Sequence, residues 1–255
     1  MQRLCFVWLA AAACALRPTT LHRTTSMSTE GVVLGLNAAF QRRVAFESPL
    51  AIGAVNRAAE SGGGVGGKGQ GAYLAAAAAR PGGVALAQFY GGDAGDALAE
   101  SLRKRAPGAD EALWIRTASQ TRICTTLVAG GEATEIVEPS GAVTASELDA
   151  LRAALASRTV PGLLAAGSLP PGVPANFYST CAAATLSQGG KFLIDAVAGL
   201  EDAVNAAASV GARMVVKVNA RELLLTAGDS LAAGWRARAS GVANPNLAEN
   251  SFRCF

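Results

Sequence analysis

The sequence predicts a mainly parallel α/β sandwich, helices flanking its sheet, with a small β lid. Three observations carry this. Short uncharged apolar runs alternate with helix-forming segments between residues 31 and 226, which is the mark of successive βαβ units. Polar residues recur just past the ends of those runs, at Asn37, residues 91–93, Gly167-Ser168, Asp195 and Asn219. In open α/β sheets the ligand crevice lies at that edge. Finally, two segments rich in β-branched residues flank Gly130-Gly131, as in a hairpin with one face in water.

In chain order, residues 31–37 form the first buried strand, apolar until Asn37. A weaker alternating segment follows, up to Arg57. Residues 61–71 contain seven glycines and one lysine, Lys68. They read as a glycine turn opening into a helix over 72–80, which Pro81 ends. Residues 84–90 make a second buried strand, and 94–105 a helix with basic residues in its last turn, where the dipole favours them. A short strand is expected over 113–118, and hairpin strands over 121–128 and 134–138. Ser146, with Asp149 three residues on, is expected to cap a helix to about 156. The remaining strands are expected over 163–167, 192–195 and 214–218. Helices are expected over 174–186 and 201–208, and Asn219 is expected to cap one over 220–226.

Composition excludes several chemistries. The single histidine of the 255-residue chain is His22, close to the N-terminus. The body therefore has no Ser-His-Asp triad, Cys-His pair or histidine-ligated metal. Cys124, Cys181 and Cys254 are too widely spaced for a Cys-x-x-Cys site, and no disulfide framework is expected. Beyond residue 30 there are 19 basic and 18 acidic residues, which is no electrostatic footprint for nucleic acid.

Residues 1–30 differ from the rest. A short basic start precedes an uncharged apolar run over 4–16, with the small residues Ala13 and Ala15 near its end. A hydroxyl-rich, basic, acid-free stretch follows. A leader of this kind suggests plastid or secretory targeting, with no membrane attachment once it is removed; the alternatives are a mitochondrial leader, or initiation at Met27 with a cytoplasmic product. Residues 31–238 are then the folded domain, with lid strands near 40–60 and 120–139, and 239–255 an irregular tail.

Three glycine motifs compete for residues 61–71. Gly62-x-Gly64-x-x-Gly67 satisfies the dinucleotide fingerprint, but the preceding residues make a poor strand. No acid lies about twenty residues on, where a ribose ligand belongs. Gly62-x-x-x-x-Gly67-Lys68 nearly makes a P-loop, but Gly69 stands where Ser or Thr must hold Mg²⁺. The third is Gly66-Gly67-Lys68-Gly69. It occurs in order with residues 36–41, Gly91-Gly92-Asp93, Thr121-Arg122, Gly167-Ser168-Leu169-Pro170, Asp195 and Lys217-Val218-Asn219-x-x-Glu222-Leu223. Together these resemble the ribokinase-like (PfkB) sugar kinases, especially the 1-phosphofructokinase and tagatose-6-phosphate kinase branch, over residues 31–228.

The resemblance implies a ribokinase-like sandwich that transfers a phosphoryl group from ATP, with Mg²⁺, to a sugar or sugar phosphate. It implies that Asn37, Gln41, Gly66, Gly67, Lys68 and Arg122 bind the substrate, Arg122 as a bidentate phosphate clamp. Lys217, Asn219 and Glu222 would serve the ATP phosphates, with Asn219 and Glu222 holding Mg²⁺ through water. A homodimer paired through the lid is implied as well.

The chain departs from the family at four places. Gln41 stands where an Asp usually holds sugar hydroxyls, Gly71 where many members have Asn, and Val218 where Pro is usual. The family's catalytic aspartate lies in a Gly-x-Gly-Asp motif that this sequence lacks. Thr226-Ala227-Gly228-Asp229 comes too early to replace it. The expectation is a truncated kinase with little or no activity as this chain, its C-terminal part missing. A non-catalytic sugar-phosphate-binding relic is the alternative, and a dinucleotide-dependent oxidoreductase a third, weaker one.

Overall fold

The computed structural model describes residues 30–219 and Glu222. The leader, the helix expected over 220–226, the Thr226–Asp229 fragment and the 239–255 tail lie outside the described residues.

Ten strands and five helices follow one another among the described residues. They are β1 (Gly31–Leu34), β2 (Ala39–Ala45), β3 (Glu60–Gly66), α1 (Lys68–Ala79), β4 (Val84–Tyr90), α2 (Gly92–Arg105), β5 (Trp114–Arg116), β6 (Arg122–Ala129) and β7 (Glu132–Val137). Then come α3 (Ala145–Ala156), β8 (Gly162–Ala166), α4 (Phe177–Ser187), β9 (Lys191–Asp195), α5 (Leu200–Ser209) and β10 (Val215–Val216). Six strands form one sheet in the order β10-β9-β8-β1-β4-β5, with every neighbouring pair parallel.

A parallel sheet is buried on both faces, so its strands carry apolar residues on both sides. Strand β1 shows this residue by residue. Val32 and Leu34 face a core built with Leu148, Leu151, Phe177, Tyr178 and Leu200 of α3, α4 and α5. Val33 points the other way, into a core with Tyr73, Leu98 and Leu102 of α1 and α2. The sheet is thus the middle layer, and the C-terminal ends of its strands form one common edge.

The lid is a second sheet in the order β3-β2-β6-β7. Strands β2 and β6 run parallel, and the two outer pairs antiparallel. Phe40 and Val65 anchor it on the core of α1 and α2. Gly130 and Gly131 have φ of 59° and 82°, as a two-residue hairpin turn matched to strand twist requires. Every residue of β7 is exposed, so the expected solvated hairpin face is present. Cys124 and Cys181 are both free thiols.

Three local expectations need correction. The glycine stretch is not one long turn. Residues 60–66 are a strand, paired with β2 along its whole length from Ala45↔Glu60 to Ala39↔Gly66. Glycine gives no side chain from which alternation can be read, which hides such a strand. The ring of Phe40 lies across the chain there, and a Cβ on Gly63 would sit 2.5 Å from it. Helix α1 consequently begins at Lys68 rather than at residue 72. Third, α3 is capped by Thr144 and not by Ser146: Thr144 accepts from the Glu147 N–H, and Glu147 accepts from the Thr144 N–H. The same Glu147 carboxylate also accepts from the Ala118 N–H at 2.7 Å, a tertiary bond that local spacing does not reveal.

Candidate functional site

The strand ends bring three groups of residues to one edge. The first is the mouth of α1. Gly67, at φ 95°, is the N-cap, and no side chain caps the helix. The first N–H groups of a helix have no partner within it, and its N-terminal end carries partial positive charge. The helix is pressed against the end of β1, since a Cβ on Gly69 would lie 2.2 Å from the Gly35 Cα.

The second group is an alternating chain of charges. The Lys68 ammonium donates to Glu222 Oε1 at 3.1 Å and to Asp195 Oδ1 at 3.4 Å. Lys217 donates to the other oxygen of Asp195 at 2.8 Å. Asn219 and Glu222 exchange bonds in the manner of a capping box: the Asn219 N–H donates to Glu222 Oε2 at 2.9 Å, and the Glu222 N–H to Asn219 Oδ1 at 2.8 Å. Burial would lower the Lys68 pKa, but Asp195 and Glu222 outweigh it and hold it above its ordinary value. Burial would likewise raise the Glu222 carboxyl, but the Asn219 N–H and Lys68 hold it low. Both groups are therefore charged at neutral pH.

The third group centres on Asn37. Its amide donates to Ser168 Oγ at 2.8 Å, its side-chain oxygen accepts from Ser140 at 2.8 Å, and its carbonyl accepts from Arg122 at 3.3 Å. Arg122 lines a cavity with Asn37, Thr117, Ser119 and Ser140, and its Nε is buried without a partner among the described residues. Gln41 lies on the same face of the lid as Arg122 and donates to Thr126 Oγ1 at 2.8 Å.

The expected site residues are therefore gathered at one edge but sorted differently. Lys68 joins Lys217, Asn219 and Glu222 rather than Arg122, and the cavity that Arg122 lines does not include Lys68. The two clusters meet at Gly167-Ser168. Ser168 bonds Asn37, and Gly167, at φ 86°, packs its bare Cα side toward the Lys68 Cβ. Gly66 ends β3 beside Ala39. Sequence reasoning undervalued Asp195, which sits at a strand end where a turn former is equally at home. It missed Ser140, which lies in a loop without any motif of its own.

Magnesium is the metal that the resemblance implies. Asp195 and Glu222 both approach the Lys68 Nζ, so the ammonium holds the point their carboxylates share, and a metal would bind them only once Lys68 turns to a phosphate. No group of three or more His, Cys, Asp or Glu gathers among the described residues. Two carboxylates fit Mg²⁺, which takes one or two of them and completes its shell with water and phosphate oxygens.

The fold and its polar edge define a ribokinase-like α/β sandwich with a β lid. No family model and no curated protein matches the sequence. Solved structures do match. Phosphofructokinase-2 of Escherichia coli in complex with fructose-6-phosphate is 21% identical, with a TM-score of 0.66 over 84% of this chain and 71% of that one. Its tetrameric inhibited form is 22% identical, with a TM-score of 0.65 over 84% and 70%. A possible 1-phosphofructokinase of Thermotoga maritima is 19% identical, with a TM-score of 0.56 over 73% and 71%. At these identities the likeness is one of fold.

Proposed function

We propose that this chain carries the site of a carbohydrate kinase acting on a hexose or hexose phosphate, with ATP as donor. The observation that carries the reading is the convergence of Lys68, Lys217, Asp195 and Glu222 beside the Asn37–Ser168–Arg122 cluster, all at the C-terminal edge of a parallel sheet. Phosphoryl transfer needs positioned charge more than covalent chemistry, and this edge supplies it. The Arg122 guanidinium grips an anionic group of the sugar, while Asn37, Ser168 and Gln41 offer donors and acceptors to its hydroxyls. Lys68, the α1 mouth and Lys217 neutralise phosphate charge. Asn219 fixes the Glu222 carboxylate. Mg²⁺ bound by Asp195 and Glu222, directly or through water, would screen the nucleotide phosphates. Two copies pair through the lid, where Phe40, Arg42 and Val44 line a groove. The leader directs the protein to a plastid or the secretory route.

The sequence has no Gly-x-Gly-Asp, and we assign no residue to accept the sugar hydroxyl proton. The chain therefore binds its ligands with little or no turnover. The test combines ATP-dependent phosphorylation of fructose 1-phosphate and fructose 6-phosphate with binding of both sugars. Binding with negligible turnover is expected. Absence of binding would defeat the kinase reading, and rapid turnover the inactive one.

A further inference from the structure

Helix α1 opens with Gly67 as N-cap, followed by Lys68, Gly69 and Gln70. A Gln at this third helical position ordinarily reaches back to the N-cap N–H and closes the helix end. Here it does not. Gln70 is 1% exposed. Its amide nitrogen donates inward, to the Gly35 carbonyl at 2.7 Å and to Gln88 Oε1 at 3.1 Å. Gln88 is itself fully buried in β4. The Gln70 Oε1 is buried without a hydrogen-bond partner among the described residues and packed against Gly67, 2.3 Å from where a Cβ on that residue would lie. A buried polar atom without a partner is destabilising, a cost that an apolar side chain of the same size would avoid. Such an arrangement suits a structural need at this turn rather than stability.

We propose that Gln70 is a positioning residue for Lys68 and for the anion-accepting first turn of α1. The inference rests on the reading that this turn receives a phosphate. The Gln70 amide ties the helix to the end of β1 and to β4 at once, which fixes the direction of the first turn. Lys68 projects from that turn between two glycines that provide no side-chain support. Because the Gln70 side chain is drawn inward, it does not cap the helix itself, and the mouth stays open to an anion. Gly67 suits the same arrangement, since any side chain there would strike the Gln70 oxygen.

The test uses the full chain and inorganic phosphate and ATP as probes. Amide shifts of residues 67–69 are followed by NMR, together with thermal unfolding. Gln70→Leu removes both bonds and strands the Gln88 Oε1 as well, the Gln88 Nε2 having no partner among the described residues already. The double variant Gln70→Leu/Gln88→Leu removes the stranded group as well. In wild type, both probes move the residue 67–69 amides. The double variant is expected to recover most of the unfolding temperature that the single variant loses, yet to bind ATP about tenfold more weakly, as loss of a supporting group at a ligand site commonly does. If the double variant binds as wild type does, the positioning role is overturned while the phosphate reading stands. If wild type itself shows no shift at residues 67–69 with either probe, the phosphate reading fails first.

Discussion

Lys68 and Glu222 stand 154 positions apart in the chain and 3.1 Å apart in space. Between them run five of the six strands of the main sheet's order or their connections, so the contact reports correct closure of the whole sandwich. Asp195 is the third member, and through it the network reaches Lys217. Two cations and two carboxylates cancel one another in the absence of ligand. On the proposed function, an incoming nucleotide or sugar phosphate would compete with the carboxylates for the two lysines.

The network makes stability depend on pH in a defined direction. Glu222 is held below its ordinary pKa of 4.5, so its contribution is present above that value and fades as pH falls through the folded one. Lys68 is held above its ordinary 10.5, so its contribution is present below that value and fades as pH rises through the folded one. Urea unfolding of wild type and Lys68→Met should differ by a constant amount between about pH 5 and 10, with the difference shrinking in acid. A difference that widens below pH 4 would contradict the ion network.

Two glycines of α1 should respond oppositely to alanine. At Gly69 the new methyl would meet the Gly35 backbone at 2.2 Å, and neither chain can yield cheaply inside a packed edge. Gly69→Ala should lose about 2–3 kcal/mol or more. At Gly71 a Cβ meets nothing within 4 Å, and the residue lies in an exposed helical position. Gly71→Ala should gain about 0.5–1 kcal/mol. Chemical denaturation of the two variants checks both signs.

The capping box of α3 offers a third measurement. Thr144→Ala removes the side-chain acceptor of the Glu147 N–H and should cost about 1 kcal/mol. Glu147→Ala should cost more, because that carboxylate also accepts from the Thr144 and Ala118 N–H groups. Equal losses in the two variants would mean that the Ala118 contact contributes nothing.

Much of this architecture was legible in the residues. Buried runs such as residues 84–90 declare parallel strands, and the polar residues after them gather at one edge of the sheet. The spacing of Asn219 and Glu222 anticipates their reciprocal hydrogen bonds. Strand β3 was not legible, because glycines carry no alternating pattern and only pairing with β2 makes them a strand. The partner of Lys68 was not legible either. A lysine in a glycine-rich motif shows that charge is needed, whereas its carboxylates come from distant strand ends that only the folded sheet brings together. Ser140 reaches Asn37 from a loop with no motif, so tertiary packing alone reveals it.

The central claim is that the Lys68 and Arg122 clusters are two halves of one phosphate-handling site. Isothermal titration of fructose 6-phosphate into the full chain, with a non-hydrolysable ATP analogue and Mg²⁺ present, tests it most directly. Wild type should bind, and Arg122→Met and Lys68→Met should each weaken binding about tenfold or more while the chain stays folded. Unchanged affinity in both variants, or no binding by wild type, would contradict the account.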